Sequence, residues 1–471
     1  MVMDMYELTM SNGYLNQGFK DTWVAFDVFY RNNPDNGGFA IFAGLQQVVE
    51  YIENLHFSEE DVEYLRSKRL FTEEFLEYLL HFRFRGDIYA MKEGTVMYPN
   101  EPVITVVAPL IDAQLIETTI LLEINHQSLI ATKTNRIVQA ANGKPVSDFG
   151  ARRAHNVDAA VYGARAAYIG GAAGTATVLA GKMFHIPISG TMAHSWVMTF
   201  DSEYDAFKAY AESYPDGTVL LVDTYDVLKS GVPNAIRTAR EVLEPMGKKL
   251  IGIRLDSGDL AYLSKEARKM LDEAGLSDCM IVASNSLDEY TISSLNRQGA
   301  KIDSYGVGER LITSSSTPVF GAVYKLVAIQ KDGKFIPKIK ISETAEKITN
   351  PGIKEVYRVY DENGKAVADY LAVKGEQIRD LEPVRYVDPV NYWKNRSFVG
   401  CRFKKLQVPV FEKGKRIYDL PDIEEIRQYV KDQLENEIWE EEQRFENAHT
   451  HYLDMSPAMF ELKMSLLHEE N

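Results

Sequence analysis

From about residue 146 to about residue 325, the chain repeats one pattern: a short apolar run, a polar or glycine-rich turn, and a helix-compatible segment. Six such runs read PVSDFG, IPISGTMAH, VLLVDTYD, LIGIRLDSGD, MIVASNSLD and IDSYGVGER. Their ends fall roughly 25 to 40 residues apart, the spacing of consecutive strand–helix units in a parallel sheet or barrel. Six units favour a closed or nearly closed α/β barrel over an open sheet.

The residues on either side of this repeat have a different pattern. Up to about residue 130, runs such as TWVAFDVFYR and PVITVVAPL alternate with helical stretches such as AGLQQVVEYIENL, which indicates an α+β domain. After about residue 325 come strand-like segments, a hairpin signal in DENGKA and an acidic helix, PDIEEIRQYVKDQLENEIWEEEQRFE. We therefore divide the chain into an α+β domain (1–130), the barrel with the catalytic loops (131–330), and C-terminal strands and acidic helices (331–471).

The net charge of the chain excludes some partners. The formal charge of −16 over 471 residues repels nucleic acid and anionic membranes, so we expect neither as a partner. No run of about 18 or more apolar residues occurs, and the N-terminus lacks the pattern of a signal peptide. Cys279 and Cys401 are far apart and outside any CxxC motif, which predicts neither disulfides nor a thiolate zinc site. We expect a cytoplasmic protein.

Polar, aromatic and glycine residues follow the predicted strands. Because the carboxyl ends of barrel strands converge around one axis, residues there are candidates for chemistry. The candidates are Phe149, Arg152, Arg153, Thr191, His194, Asp223, Arg254, Asp256, Asn285, Gly306 and Gly308. Asp256 and Asp259 have a structural alternative, since either could cap the amphipathic helix that begins in LDSGDLAYLSKEA.

Several well-known motifs are absent from the chain. It has no GxxxxGK[ST] P-loop, no GxSxG elbow, no HExxH and no EF-hand loop. Two other segments could hold anions: GVGER, whose glycines let backbone amides approach a phosphate, and GGAAGTATVLAG, a small-residue opening to a helix. A phosphorylated ligand therefore fits the sequence without a P-loop.

His194, in GTMAHSW, follows the apolar stretch HIPIS. Three roles are open to it: a core histidine, a metal ligand, or a reactive nitrogen at a strand end. No second His, Cys or acidic residue accompanies it at ligand spacing, so a metal role is disfavoured and we assign no residue as a metal ligand.

Ten ordered segments resemble the nicotinate phosphoribosyltransferase family along essentially the whole chain: DMYELTM, FYRNNPDNGGFAIFAGL, EGTVMYPNEPVI, DFGARRA, GTMAHSW, DTYDVLKSGVPN, RLDSGDL, SNSLDE, YGVGERLITS and VYKLV. The resemblance implies an irregular α/β barrel, a mixed α+β N-terminal domain and a C-terminal extension packing back on it. It also implies a head-to-tail homodimer with shared active sites. The implied activity is the ATP-coupled synthesis of nicotinate mononucleotide and pyrophosphate from nicotinate and phosphoribosyl pyrophosphate. An enzyme of this kind is classed as a C–N ligase and serves pyridine nucleotide salvage for NAD biosynthesis.

The same resemblance assigns the catalytic residues. It implies that ATP transiently phosphorylates His194, making the chain a phosphoprotein during turnover, and neutral imidazole suits this role because it is nucleophilic near pH 7. Asp223 and Asp256 are implied to hold the ribose hydroxyls or the waters of Mg²⁺. Mg²⁺ is the cofactor expected to meet the charge of the departing pyrophosphate.

Resemblance also assigns the contacts to the phosphorylated substrate. Arg31 and Lys325 are implied to contact pyrophosphate, with Arg31 offered by the partner subunit. Gly306 and Gly308 are implied to clasp the 5′-phosphate through backbone amides. Glu309 is left out, because a carboxylate beside a phosphate loop is unexpected.

Nicotinate needs a flat apolar slot with a cation at its rim. By resemblance, Phe149 and the partner subunit's Tyr6 sandwich the ring, and Arg254 and Thr191 bind the carboxylate, with Arg152 near the site. Asn285, in SNSLDE, is counted among the substrate-binding residues.

Three alternatives stay open. A nicotinamide phosphoribosyltransferase shares several of these motifs but carries an acidic residue at about Ala176, whereas no acidic side chain occurs from Gly170 to Gly181. A barrel lyase or aldolase acting on a sugar phosphate needs a Schiff-base lysine, and none of the six runs ends in Lys. An inactive scaffold protein would tolerate loss of His194 and the aspartates, which are all present.

Overall fold

A computed structural model describes residues 1–344, 347–393 and 395–469 of the chain. The contacts within it divide the chain into two compact units, residues 1–129 with 319–471, and residues 130–318. The C-terminal residues thus pack back on the N-terminal ones, as the resemblance implied. The three-segment division of the sequence stays a prediction.

The N-terminal segment mixes helices and strands, as predicted. Its elements are α1 (Met5–Asn16), β1 (Trp23–Phe29), β2 (Ala40–Ile41), α2 (Leu45–Asn54), α3 (Glu59–Ser67), α4 (Glu73–Leu80), β3 (Asp87–Met91), β4 (Val96–Met97), β5 (Ile104–Pro109), α5 (Leu110–Gln114) and α6 (Glu117–Ala140), which continues into the second unit. The start of α3 is set locally, because Ser58 and Asp61 form a reciprocal capping box.

The second unit alternates strands and helices. Its elements are β6 (Val146–Asp148), α7 (Val157–Ile169), β7 (Gly174–Thr175), α8 (Val178–Phe184), α9 (His194–Met198), α10 (Glu203–Ser213), β8 (Val219–Leu221), α11 (Val232–Thr238), β9 (Gly252–Leu255), α12 (Leu260–Glu273), β10 (Met280–Ser284), α13 (Glu289–Arg297), β11 (Ser304–Val307) and α14 (Glu309–Ile312). The strands form one parallel sheet in the order β7-β6-β11-β10-β9-β8. Within the described residues no pairing joins β7 to β8, so the α/β barrel is irregular and incomplete.

One of the six predicted strands is wrong. The run IPIS contributes only an isolated bridge between Ile188 and Thr175, and the sixth strand is β7. Pro187 lies in the middle of this run and has no N–H to donate to a ladder. It contributes only its carbonyl, which accepts from the N–H of Thr175 at 3.0 Å.

The C-terminal segment is mainly β-structure. Its elements are β12 (Val323–Lys331), β13 (Lys334–Pro337), β14 (Lys354–Tyr360), β15 (Ala366–Val373), β16 (Val384–Val387), β17 (Asn395–Phe398), β18 (Arg402–Lys405), β19 (Gln407–Glu412), β20 (Lys415–Arg416), α15 (Ile423–Asp432), β21 (Leu453–Met455) and α16 (Pro457–Glu469). Some of these strands join the N-terminal strands in a seven-stranded sheet, β13-β12-β1-β5-β3-β19-β20. The others form a six-stranded sheet among themselves, β17-β16-β21-β15-β14-β18. The hairpin predicted at DENGKA is confirmed as the turn between β14 and β15.

The predicted acidic helix is shorter than its sequence pattern. It begins after Asp422, whose side chain accepts from Glu425 N, and after a π turn it ends before Ile438, which is extended. Beyond that point Glu442 is buried and accepts from Tyr98 Oη at 2.6 Å. A tertiary contact therefore ends the run of acidic residues that local propensity would continue as helix.

His451 lies in a buried network of charges in the first unit. Its ring stacks on Tyr98 with 3.7 Å between centroids, and its Nδ1 lies 3.0 Å from Glu442 Oε1. Its Nε2 lies 3.6 Å from Asp369 Oδ1, and Arg358 donates to both oxygens of Asp369. Burial lowers the pKa of His451, but the two carboxylates outweigh burial and raise the pKa above its ordinary value.

Candidate active site

A cavity of about 400 Å³ opens at the carboxyl edge of the parallel sheet in the second unit. Among its lining residues are nine of the candidates named from the sequence: Phe149, Arg152, Arg153, Thr191, Arg254, Asp256, Asn285, Gly306 and Gly308. These residues are distant in sequence, and the parallel strands bring their ends to one place.

His194 is the first residue of α9 and is about 40% exposed. Its Nδ1 lies 3.2 Å from Thr224 Oγ1, within hydrogen-bond distance. Its Nε2 lies 3.7 Å from Asp256 Oδ2 and 3.9 Å from Asp223 Oδ1. Because two carboxylates face Nε2, the electrostatic field favours the tautomer with hydrogen on Nε2 and the lone pair on Nδ1.

The register of the sheet explains why these two carboxylates meet. Leu221 pairs with Arg254 across β8 and β9, so the residues two positions further on, Asp223 and Asp256, lie at the same level. Asp223 is buried, and its Oδ2 accepts from the N–H of Asp256 at 3.1 Å and from Ser257 Oγ at 2.6 Å. Its Oδ1 has no hydrogen-bond partner within the described residues. The edge therefore presents a buried carboxylate oxygen toward Nε2 of His194.

Arg254 supplies a partly buried cation to the cavity. It projects from β9, and its Nη1 donates to Thr191 Oγ1. Its Nε is buried and has no hydrogen-bond partner within the described residues. Burial lowers the pKa of the guanidinium, while the carboxylates of Asp256 and Asp223 act in the opposite direction. A buried donor of this kind calls for an anionic ligand.

The ring of Phe149 lies against the backbone of β11. A Cβ built at Gly306 would be 2.3 Å from two carbons of this ring, so only glycine allows the approach. Asp148, which is fully buried, holds the turn after the ring, because its Oδ1 accepts from the N–H of Gly150 at 2.8 Å. Burial raises the pKa of Asp148. The aromatic wall of the cavity is thus fixed from both sides.

Two consecutive residues of the lining have left-handed backbone. Asn285 has φ 81° and Ser286 has φ 52°, a conformation that costs about 1 kcal/mol or more for non-glycine residues. They follow Ser284, the last residue of β10, whose hydroxyl donates to Asp256 Oδ1. Strain of this kind is typical of functional sites, and here it turns the loop over the cavity.

The structure also shows the surroundings of two residues, Asp259 and Glu309, that the sequence did not place in the site. Asp259 is the N-cap of α12, because its side chain accepts from Tyr262 N at 3.0 Å, whereas Asp256 faces the cavity. The exposed carboxylate of Glu309 lies 3.8 Å from the guanidinium of Arg153. A carboxylate beside the glycine loop is therefore partly neutralised by a neighbouring cation.

Some lining residues were not predicted as site residues from the sequence. Ser284, Ser286 and Arg310 line the cavity, and Thr224 contacts the imidazole. Ser284 and Thr224 lie at the ends of predicted strands, so the rule that identified the other candidates could have identified these two as well. No local sequence pattern predicts Arg310 as a site residue. Its guanidinium forms an ion pair with Asp288, which lies 22 positions earlier in the chain.

Three predicted site residues belong to the first unit. Burial raises the pKa of Tyr6, as does the nearby carboxylate of Glu117. The guanidinium of Arg31 lies 5.5 Å from the centre of the Phe29 ring. Lys325 lies on β12, and burial lowers its pKa, with Glu117 opposing and Arg31 adding to the effect. Tyr6 and Lys325 therefore both feel the charge of Glu117, and Arg31 acts on Lys325.

The barrel and the chemistry of its cavity define a class of enzyme. Cations and glycine backbone suit a phosphorylated sugar, and an aromatic wall beside a guanidinium suits an acidic aromatic base, which is the combination of a phosphoribosyltransferase. Residues 1–125 match the nicotinate phosphoribosyltransferase N-terminal domain, residues 145–364 the nicotinate phosphoribosyltransferase (NAPRTase) family, and residues 353–463 its C-terminal domain.

Whole-chain relatives agree with these matches. Nicotinate phosphoribosyltransferase of Bacillus subtilis is 47% identical over 467 residues, which cover 99% of this chain and 94% of the relative. The Dictyostelium discoideum enzyme of the same name is 36% identical over 98% of this chain and 87% of its own. The crystal structure of human nicotinic acid phosphoribosyltransferase matches with a TM-score of 0.89 and 27% identity, over 99% of this chain and 100% of that chain. The chain belongs to the nicotinate phosphoribosyltransferase family.

Two further observations concern metals and membranes. No group of three or more His, Cys, Asp or Glu side chains suited to a metal ion occurs in the part of the chain that the structure describes. None of the helices in residues 1–344, 347–393 and 395–469 combines the length and the apolarity that a membrane span requires.

Proposed function

We propose that this chain transfers phosphoribose from phosphoribosyl pyrophosphate to nicotinate in NAD salvage. The observation that carries the proposal is the guanidinium of Arg254, which lines the same cavity as the Phe149 ring. The nicotinate carboxylate would pair with this cation, and the nicotinate ring would stack on Phe149. Thr191, already bound by Arg254, adds a hydroxyl beside the same carboxylate.

The lining of the cavity favours the acid over the amide as substrate. Ala176 lines the cavity. By resemblance, the nicotinamide-specific family carries an acidic side chain at about this position. A nicotinamide NH₂ would meet no carboxylate there, whereas nicotinate meets the cation of Arg254. The described lining also includes no lysine, which disfavours a Schiff-base lyase.

The transfer step needs charge stabilisation and no general base. The lone pair of the pyridine nitrogen forms the bond to the anomeric carbon as the bond to pyrophosphate breaks, and the electron pair leaves with pyrophosphate. The backbone of Gly306 and Gly308 receives the 5′-phosphate, and Arg31 and Lys325 neutralise the leaving group. Asn285 and Arg152 complete the substrate-binding lining.

Mg²⁺ would be held here through its waters, because no group of three or more side chains suited to direct coordination occurs among the described residues. Asp223 and Asp256 would accept hydrogen bonds from those waters, since Mg²⁺ usually keeps several waters when it binds a protein. When bound, Mg²⁺ supplies positive charge to the pyrophosphate oxygens.

The position of His194 supports a coupling of the reaction to ATP. The Nδ1 lone pair attacks the γ-phosphorus of ATP, the P–N bond forms, and the bond to ADP breaks with its electrons on ADP. The proton stays on Nε2, where Asp223 and Asp256 stabilise the positive charge of the phosphorylated ring. Hydrolysis of the P–N bond by water then returns the ring and releases phosphate, which makes the overall reaction that of a C–N ligase.

A homodimer supplies the rest of the proposed site. The resemblance to head-to-tail dimers assigns the partner subunit's Tyr6 and the partner subunit's Arg31 to each cavity. We further propose a cytoplasmic location, since the two thiols, Cys279 and Cys401, are free and buried.

One assay tests the proposal. Formation of the mononucleotide is measured with nicotinate or nicotinamide, each with and without Mg-ATP. We expect turnover of nicotinate, stimulation by ATP, and nicotinamide turnover lower by about 100-fold or more, as for loss of a charge-assisted partner. Equal turnover of both bases would contradict the role of Arg254, and equal rates with and without ATP would contradict the role of His194.

A further inference from the structure

Two serine hydroxyls each bind one oxygen of a carboxylate beside His194. Ser257 Oγ donates to Asp223 Oδ2 at 2.6 Å, and Ser284 Oγ donates to Asp256 Oδ1. The oxygens that face the imidazole are the other two, Asp223 Oδ1 and Asp256 Oδ2, at 3.9 and 3.7 Å from Nε2. Each carboxylate is thus divided into one oxygen held by a hydroxyl and one oxygen left for His194.

The division follows from the strand register. Ala283 pairs with Leu255, so Ser284, at the end of β10, lies level with Asp256. Ser257 directly follows Asp256 and reaches across to the end of β8, where Asp223 lies. A carboxylate can rotate about its last side-chain torsion, which has a broad energy well. A hydrogen bond to one oxygen therefore fixes the direction of the other.

A merely structural explanation does not account for both serines. Ser257 is exposed, so its hydroxyl has water as an alternative partner, yet it binds a carboxylate whose other oxygen is buried and unpartnered in the described residues. Leaving a buried oxygen without a donor is unfavourable, and this cost is tolerated when the oxygen serves a ligand or a charged transition state.

We propose that Ser257 and Ser284 are positioning residues that orient Asp223 and Asp256 toward Nε2 of His194. This inference rests on the proposed function of His194. The two hydroxyls keep both carboxylates in the orientation that holds the Nε2 proton and leaves the lone pair on Nδ1, next to Thr224. Each serine hydroxyl is bonded to a carboxylate oxygen and therefore acts through an aspartate.

The first test measures formation of phosphohistidine. The full-length protein and its Ser257→Ala and Ser284→Ala variants are mixed with Mg-ATP and quenched in base, where phosphohistidine survives. We expect each variant to form it about 10-fold more slowly, because each loses a hydrogen bond to a charged group. Threonine at either position keeps the hydroxyl and restores most of the rate.

A matched control separates positioning from general loss of a hydroxyl. Ser230 donates to Glu203, another buried carboxylate of the same unit, and does not line the cavity. Ser230→Ala removes the same kind of bond, and we expect it to leave the rate of phosphohistidine formation unchanged. An equal loss in the control would overturn the inference.

A second readout does not depend on ATP. Histidine labelled with ¹⁵N reports the tautomer of the His194 ring in the resting protein, with His194→Asn assigning its signals. Ser257→Ala and Ser284→Ala are expected to shift the ring signals away from the Nε2–H tautomer, whereas Ser230→Ala is not. If the wild type forms no phosphohistidine but both serine variants shift the ring, the ATP step is wrong and the positioning role holds. If neither variant shifts the ring, the positioning role is wrong.

Discussion

Replacing Gly306 by alanine tests whether the position of the Phe149 ring controls nicotinate binding. The new methyl group would lie 2.3 Å from two ring carbons, whereas non-bonded carbons approach to about 3.5 Å. The ring must therefore move by about 1 Å, away from the place where it stacks on the substrate. A displacement of this size costs about 100-fold in rate, so we expect kcat/KM for nicotinate to fall by about that factor, or about 2.7 kcal/mol.

The measurement is steady-state kinetics with nicotinate varied at saturating phosphoribosyl pyrophosphate, alongside the melting temperature. Gly217→Ala is the matched control, since a Cβ at Gly217 would meet nothing within 4 Å and this residue does not line the cavity. In a Phe149→Ala background the Gly306 substitution is expected to cost little, because the clashing ring is gone. Activity within about threefold of wild type, or the same loss without the ring, would refute the reasoning.

The other predictions concern single residues. Arg254→Lys is expected to raise KM for nicotinate by about 10-fold or more and leave KM for phosphoribosyl pyrophosphate nearly unchanged, because a point charge does not replace a fork of donors; equal changes would contradict this role. His194→Asn is expected to abolish two properties of the wild type: the acid-labile, base-stable phosphate formed with Mg-ATP, and the stimulation of the rate by ATP. Retained stimulation would mean that His194 is a structural residue. Mixing Tyr6→Ala with His194→Ala under subunit exchange is expected to restore activity, and its failure despite exchange would indicate sites built within one chain. The raised pKa of His451 means that its stabilising effect is complete below the ordinary histidine pKa and is lost as pH rises through the raised value. The difference in free energy of unfolding between wild type and His451→Gln is therefore expected to be larger at about pH 6 than at about pH 9. An equal difference at the two pH values in denaturant unfolding would contradict the charged state of His451.

Much of the second unit could be predicted from local pattern. Five of the six apolar runs are strands of one parallel sheet, because short apolar runs bounded by polar turns are self-evident in sequence. The residues at their ends, such as Arg254 and Asp256, line one cavity, because parallel strands that share a sheet end at one edge. Local pattern misplaced the sixth strand, since Pro187 interrupts a run whose composition is otherwise that of a strand.

Contacts between segments that are distant in sequence could not be predicted from local pattern. The acidic helix ends early because Glu442 accepts a hydrogen bond from Tyr98 and lies 3.0 Å from Nδ1 of His451, and no periodicity connects these two residues to it. The left-handed backbone at Asn285 and the fit of the Phe149 ring onto Gly306 are also set by the packing of neighbouring strands. Local propensity carries no information on such close approaches.

The sequence by itself determined the α/β class, the strand ends that carry the chemistry and, by resemblance, the family of the chain. Only the tertiary structure decided which atoms face each other: Nε2 of His194 toward two carboxylates, Nδ1 toward Thr224, and the serines on the far oxygens. The physical reason is that apolar periodicity is a property of adjacent residues, whereas strand register and side-chain direction depend on the whole sheet. A shift of one residue in the pairing of β9 with its neighbours would turn Asp256 away from both the imidazole and Ser284 without changing any local pattern.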